Sequence, residues 1–430
     1  MDYNVYMKNI LLKNIRVDSR DSDIFISDGM IVNVAPGGTL PQEHEASGVE
    51  VVDCGGKTAV PGFVNMHTHA GMSLMRGVGE DVEFQQWLSR IWDIESGIDE
   101  EYVYCATKVA ALEMIKTGTT TFNDQYWFLP QARKAAVEMG INPVLSYVLC
   151  DRGDKTQVEF QKQECMRMYS ESLSWPEKSQ FTVGVHAIYS VCEPLIIWAA
   201  EFARKHSLKL HIHLSETRKE VEDCKKAHGG LTPVQYLDSL GFLGPDVIAA
   251  HCLWLSDEDV EILGQRRVNC VHNINSNLKL TSGYRFRYNE LRDAGANVCL
   301  GTDGCASSNN LDMLETMKTS AMVQKAWRED PCAMPVDELV AMATLNPAKA
   351  LGQRIGRIGS GFRADILIVD TDNYHFLSPG SFNANLIYSA HSDCIDSVIC
   401  NGRFVMRNRV VPNEEEVIRM AKEKINTIKY

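Results

Sequence analysis

Hydrophobic and polar positions follow two rhythms along this 430-residue chain. Near the start, Ile10-Leu11-Leu12-Lys13-Asn14, Asp23-Ile24-Phe25-Ile26-Ser27 and Ile31-Val32-Asn33-Val34 are short strand-like pieces, with Asp28-Gly29 as a turn between the last two. The end of the chain echoes this in Ala364-Asp365-Ile366-Leu367-Ile368-Val369 and Ser397-Val398-Ile399-Cys400, followed by the turn Asn401-Gly402 and Arg403-Phe404-Val405-Met406. Two β-rich ends around a different middle predict one small β-sandwich built by both termini, from residues 1–60 and 352–430.

In the middle, residues 61–351, short apolar runs that close in polar residues alternate with longer segments of helical period. The runs are Val60 to Asn65, Thr119 to Asn123, Val144 to Leu149, Thr182 to Val185, Leu208 to Leu214, Val247 to Ala250, Val268 to Val271 and Val298 to Leu300. Strand-then-helix repetition predicts a parallel sheet, and eight repeats predict a closed (β/α)8 barrel of the TIM type, an α/β fold. No tandem repeat or low-complexity tract interrupts the pattern.

Composition narrows the partners. With 43 Lys and Arg against 56 Asp and Glu, the net charge is −13, which argues against nucleic acid and anionic membrane surfaces. No apolar run is long enough to span a bilayer, and Met1-Asp2 opens a polar stretch rather than a basic start with an apolar core. Thirteen cysteines without a CxxC pair, mostly inside apolar stretches such as Val298-Cys299-Leu300, suit reduced thiols in the cytoplasm.

Barrel chemistry gathers at the C-terminal ends of the strands, so the polar residues that close each run are the informative ones. The first run closes in His67-Thr68-His69, and residues two apart on a strand face the same way, so both imidazoles can meet one metal ion. The fifth closes in His211-Ile212-His213-Leu214-Ser215-Glu216, the sixth in Ala250-His251-Cys252 and the eighth in Gly301-Thr302-Asp303-Gly304. Metal ligands or proton carriers at the same end of four strands predict a metal centre. His211 lies one step deeper than His213 and is expected to be a packed, hydrogen-bonded core histidine.

Together these residues resemble the amidohydrolase superfamily, in its mononuclear cytosine/adenosine deaminase branch, and most of all the enzymes acting on 5'-methylthioadenosine and S-adenosylhomocysteine. The resemblance rests on Pro61-Gly62-Phe63-Val64-Asn65-Met66-His67-Thr68-His69, Leu74-Met75-Arg76-Gly77, His213-Leu214-Ser215-Glu216-Thr217, Ala250-His251-Cys252, Ser276-Asn277-Leu278-Lys279 and Gly301-Thr302-Asp303-Gly304, in family order. It implies that His67, His69, His213 and Asp303 bind one divalent ion, with zinc favoured and iron(II) accepted by the same ligands. Binuclear relatives need a lysine ending the fourth strand, and Phe181 to His186 offers none. By the same resemblance Glu216 shuttles a proton to the substrate ring, His251 stabilises the attacking water and Asp303 accepts its proton. Glu95 is similar to a glutamate that binds ribose hydroxyls, and His186 to a histidine that meets the nucleoside.

The chain departs from the pattern near the expected pocket. Tyr147 stands where nucleoside-processing members carry an arginine, His186-Ala187-Ile188-Tyr189 replaces a histidine, serine, proline, tyrosine run, and His272-Asn273-Ile274 lacks the usual proline. Arg152 is the candidate to replace the missing charge. The resemblance therefore implies a deaminase of an adenosine-like nucleoside, carrying 5'-methylthio, S-homocysteinyl, 5'-deoxy or unmodified ribose. Its alternative is a deaminase or hydrolase of a free heterocycle of guanine, pterin or triazine type. Relatives often form dimers or rings, so a homo-oligomer is left open, and a non-catalytic scaffold is disfavoured because every expected ligand is present.

Overall fold

A strand with one apolar face needs a partner to cover it, and here the two chain ends supply each other's. In the computed structural model, which describes residues 8–40, 48–176 and 178–428, the first five strands are β1 (Asn9–Val17), β2 (Arg20–Ser27), β3 (Met30–Pro36), β4 (Val49–Asp53) and β5 (Thr58–Pro61). The last three, β14 (Ile366–Val369), β15 (Ile395–Cys400) and β16 (Arg403–Met406), join them in one hydrogen-bonded sheet of order β16-β15-β14-β5-β1-β2-β3, with β4 also on β1. The two ends of the chain meet where β14 runs antiparallel to β5, Leu367 opposite Val60. Ile10, Leu12, Ile24, Ile26, Ile366, Ile368 and Ile399 share one apolar core, so the arms of the sheet pack as the expected sandwich does.

β5 passes directly into the second sheet. Its eight strands are β6 (Phe63–Thr68), β7 (Thr119–Tyr126), β8 (Asn142–Leu149), β9 (Gln180–Val185), β10 (Leu210–Leu214), β11 (Val247–His251), β12 (Asn269–His272) and β13 (Asn297–Leu300), all parallel and paired in sequence order. Every one of the eight sequence runs overlaps one of these strands. The sheet is a nearly closed barrel with helices between the strands, and its seam is crossed by side chains: Asn65 Nδ2 donates to Thr302 Oγ1 at 2.6 Å and the Thr302 amide donates to Asn65 Oδ1 at 3.0 Å. The Asp303 amide donates to the His67 carbonyl at 2.9 Å, tying the last strand end to the first.

Helix starts follow local chemistry. Asp99 caps the helix Glu100–Lys116 by accepting from the Tyr102 amide, with Glu100 and Glu101 at its positive end and Lys116 at its negative one. Among the described residues no helix is long and apolar enough to cross a membrane, and all thirteen cysteines are unbridged.

Candidate metal centre and active site

Four strand ends deliver imidazoles and a carboxylate to one point. His67 closes β6 and His69 follows it; His213 lies on β10, His251 ends β11 and Asp303 follows β13. One potential ligand atom from each of His67, His69 and Asp303 lies within 4.8 Å of the others, and the same holds for His67, His213 and His251.

Hydrogen bonds fix which nitrogens face this point. His69 Nδ1 donates to the Gln125 carbonyl at 2.7 Å and His213 Nδ1 to the His186 carbonyl at 2.7 Å, since a carbonyl only accepts. Both Nε2 atoms therefore carry bare lone pairs, yet they lie 3.2 Å apart, with Asp303 Oδ1 3.4 Å from His69 Nε2. His67 Nε2 is buried without a hydrogen bond, 3.6 Å from the same oxygen. Two lone pairs and an anion crowd together beside the unpartnered His67 Nε2, an arrangement that a cation among them relieves, and three imidazoles with a carboxylate are the ligands a mononuclear divalent ion takes. The residues present fit such an ion.

Electrostatics agree. Burial lowers the His67 pKa to about 4 and holds His213 well below its ordinary value, so both rings are neutral and available as ligands at neutral pH. Burial would raise Asp303, but the imidazoles of His67, His69 and His251 hold its carboxyl well below the usual range. Asp303 is further fixed by accepting from Ser276 Oγ at 2.6 Å and the Gly304 amide at 2.7 Å. His251 Nδ1 donates to Asn277 Oδ1 at 2.8 Å. Ser276 and Asn277 are thus the side chains that make the Ser276-Asn277-Leu278-Lys279 motif legible as part of the site.

Glu216 is 6% exposed, accepts from Ser282 Oγ at 3.2 Å and places Oε2 3.9 Å from His251 Nε2. Burial raises its pKa, partly offset by His251. For His251 burial acts downward, but Glu216 and Asp303 outweigh it and raise the pKa. Both groups therefore hold a proton more tightly than they ordinarily would.

A cavity opens onto these residues. His69, His213, Glu216, His251 and Asp303 line it together with Glu95 and His186. Glu95 ends the helix Phe84–Glu95, whose residues Phe84, Trp87, Leu88, Ile91 and Trp92 form the apolar wall. The Glu95 Oε1 atom is buried and unpartnered, and burial pushes the carboxyl up to about 7 against the pull of Tyr126, His69 and Arg152. His186 Nδ1 lies 2.6 Å from Ser190 Oγ.

Tyr147 and Arg152, expected as substrate contacts, are not among the residues that line this cavity. On β8 the side chains of Ser146 and Val148 turn inward, Ser146 to His211 and Val148 to the cavity. Strand alternation then turns Tyr147 outward. It lines a neighbouring cavity with Arg152, Glu164 and Arg167, and Arg152 packs on the Trp92 ring at 4.4 Å. Glu95 and Trp127 are common to both cavities. His211 is buried beneath the site, as a core histidine would be: its Nε2 lies 2.9 Å from His67 Nδ1 and its Nδ1 3.1 Å from Ser146 Oγ. His272 ends β12 but stacks on Phe286 at 4.2 Å, away from the cavity.

The family model described as Amidohydrolase family matches residues 58–405. This chain belongs to the amidohydrolase family. It is 41% identical to a 5'-deoxyadenosine deaminase of Methanoregula boonei over 96% of this chain and 94% of that one. It is also 41% identical to the 5-methylthioadenosine/S-adenosylhomocysteine deaminase 1 of Archaeoglobus fulgidus, over 88% of this chain and 89% of that one. Among solved structures, an adenosine deaminase of Xanthomonas campestris with bound zinc superposes with a TM-score of 0.89 at 28% identity, covering 98% of each chain.

For this amidohydrolase, sequence reasoning overlooked the aromatic stripe of the helix Phe84–Glu95, the residues Gln125 and Tyr126 at the end of β7, and Glu220. A stripe at helical spacing reads as core until the fold turns it toward a cavity. The Glu220 signal was present in Thr217-x-x-Glu220, a helix-start pattern.

Proposed function

We propose that this amidohydrolase hydrolytically deaminates an adenosine-like nucleoside, releasing ammonia and leaving the inosine-type ring. The observation that carries the reading is the convergence of the Nε2 atoms of His67, His69 and His213 with Asp303 opposite Glu216, in a cavity that also holds the unpartnered carboxyl oxygen of Glu95. His67, His69, His213 and Asp303 would hold one divalent ion, zinc by preference. Such an ion supplies Lewis acidity, bringing the pKa of a water molecule toward about 7.

The chain's own groups do the rest. Glu216, buried and raised in pKa, holds a proton that it delivers to the ring nitrogen, making the adjacent carbon electrophilic. Asp303, held ionised, accepts the proton of the attacking water. His251, anchored by Asn277, hydrogen-bonds that water and stabilises the negative charge developing on its oxygen. As the adduct collapses, Asp303 passes the proton it took to the departing amino group, and Glu216 recovers a proton from the adduct hydroxyl as the carbonyl forms. Glu95 accepts hydrogen bonds from the ribose hydroxyls, and the wall of Trp87, Leu88, Ile91 and Trp92 packs the sugar and base. The two deaminase relatives at 41% identity support the nucleoside over a free heterocycle. Thirteen unbridged cysteines support a reducing, cytoplasmic setting.

Ammonia release from adenosine, 5'-deoxyadenosine, 5'-methylthioadenosine, S-adenosylhomocysteine, adenine, guanine and pterins, with and without chelator, tests the reading. Chelator-sensitive turnover confined to the nucleosides is expected. Turnover of sugar-free rings alone would replace the nucleoside assignment.

A further inference from the structure

The turn that carries Glu216 is gripped from two sides. Ser215 sits at a φ of 51°, in the left-handed region, where a residue with a side chain stays only if its surroundings hold it. Its carbonyl accepts from the amides of Leu253 at 3.1 Å and Trp254 at 3.0 Å, in the loop after β11. On the other side the Ser215 amide donates to Glu220 Oε1 at 2.9 Å and the Glu216 amide donates to Glu220 Oε2 at 2.8 Å. One carboxylate, 6% exposed, thus holds two consecutive peptides.

This is more than a helix start needs. Glu220 lies in the first turn of the helix Arg218–Ala227, where Thr217 accepts the Glu220 amide at 3.1 Å. In a capping box the glutamate at that position folds back to the amide of the capping residue itself. Here it passes over Thr217 and reaches the two preceding residues. Burying a second carboxyl close to Glu216 is costly, and burial pushes Glu220 up to about 7. A neutral side chain would cap the helix without that cost.

We propose that Glu220 is a positioning residue for the proton carrier: by holding the Ser215 and Glu216 amides it fixes the left-handed turn that aims the Glu216 carboxyl between Ser282 and His251. The proposal rests on the reading of Glu216 given above. It predicts that Glu220 acts through Glu216 and has little influence on substrate binding or on metal content.

A double-mutant cycle on the full-length, zinc-loaded enzyme tests it, with 5'-deoxyadenosine as substrate and zinc per chain measured by elemental analysis. Displacing a reacting group by about 1 Å can cost on the order of 100-fold, so Glu220→Ala is expected to lower kcat by about 10- to 100-fold. KM should stay within about twofold and the zinc content should match the parent. In a Glu216→Gln background the same substitution should change the residual rate by less than about twofold, because the group it aims is already disabled. Glu220→Gln, which keeps one accepting oxygen, should recover part of kcat. If Glu220→Ala does not fold, Glu220→Gln and Glu220→Asp run the same cycle. A kcat per zinc-loaded chain within about twofold of the parent, with only the unfolding temperature lowered, would reduce Glu220 to a helix cap. An equal fold-loss in both backgrounds would show that it does not act through Glu216. Full activity in Glu216→Gln alone would remove the proton-carrier reading itself, an outcome separate from either of these.

Discussion

At the scale of single residues, the site works by making ordinary side chains behave out of character. Glu95 shows this most plainly. Its carboxyl moves from 4.5 to about 7 because burial disfavours the charge more than Tyr126, His69 and Arg152 favour it. A folded-state pKa above the unfolded one means that the folded chain holds the proton more tightly. The stabilising contribution is then full below about pH 4.5 and is lost as pH rises through about 7. Thermal unfolding measured from about pH 5 to about pH 8 should therefore be less pH-dependent in Glu95→Gln than in the parent, and equal slopes would refute the assignment. If Glu95 accepts from the ribose hydroxyls as proposed, the same substitution removes a charged acceptor worth about 1.5–3 kcal/mol, and KM for the nucleoside should rise about 10- to 100-fold. The parent's KM should fall as pH rises through about 7, when Glu95 ionises. His67, His69, His213, Asp303 and Glu216 were legible one by one, because each closes an apolar run and a barrel puts such residues in one place. Tyr147 lines the neighbouring cavity rather than that of the metal centre, because a strand residue's direction depends on its parity and Ser146 and Val148 take the inward positions.

At the scale of elements, the metal centre depends on how β6 meets β13. Gly301 leaves room there: a Cβ added to it would stand 2.8 Å from the His67 amide nitrogen and 2.6 Å from Asn273 Oδ1. Gly301→Ala should push the two strands apart, costing about 1–3 kcal/mol of stability, and should weaken metal binding because His67 and Asp303 lie on opposite sides of the seam. Calorimetric unfolding and zinc titration would check both, and unchanged zinc affinity would show that the seam does not set the ligand geometry. The strands themselves were readable because buried parallel strands are near-continuous apolar runs. The helix Phe84–Glu95 was not read as a cavity wall. Its stripe of Phe84, Trp87, Leu88, Ile91 and Trp92 has the same periodicity whether it covers a core or a substrate.

At the scale of the whole molecule, the small sheet is bolted to the barrel by an ion pair whose carboxylate is buried. Arg363 Nε lies 2.7 Å from Asp365 Oδ2, the Arg363 guanidinium also donates to Thr121 Oγ1 at 2.9 Å, and Asp365 Oδ1 accepts from the Asn401 amide at 2.8 Å. Thr121 lies on β7, so the pair ties the start of a barrel strand to the chain's last strands. Asp365→Ala leaves the Arg363 charge without its anion and should cost about 3–5 kcal/mol, read as a fall in the midpoint of urea unfolding. A loss under about 1 kcal/mol would mean that other contacts, such as the Asn401 Nδ2 to Asn142 Oδ1 hydrogen bond, carry the junction.

The sequence by itself determined the two rhythms of hydrophobicity, and through them an eight-stranded barrel and a sheet shared by the chain ends. Period is a local property, and the polar residue ending each run is written beside it. It also marked His67 and His69 as a pair that faces one way, since residues two apart on a strand share a direction. The tertiary structure decided what depends on distance between segments remote in the chain. It placed Glu95 against a cavity, turned Tyr147 out of it, set two bare Nε2 atoms 3.2 Å apart and put a second carboxylate under the turn of Glu216. The local pattern Thr217-x-x-Glu220 marks a helix start but not the turn that Glu220 holds, and the other placements are likewise fixed by packing between elements, where burial and proximity set the charge and direction of each group.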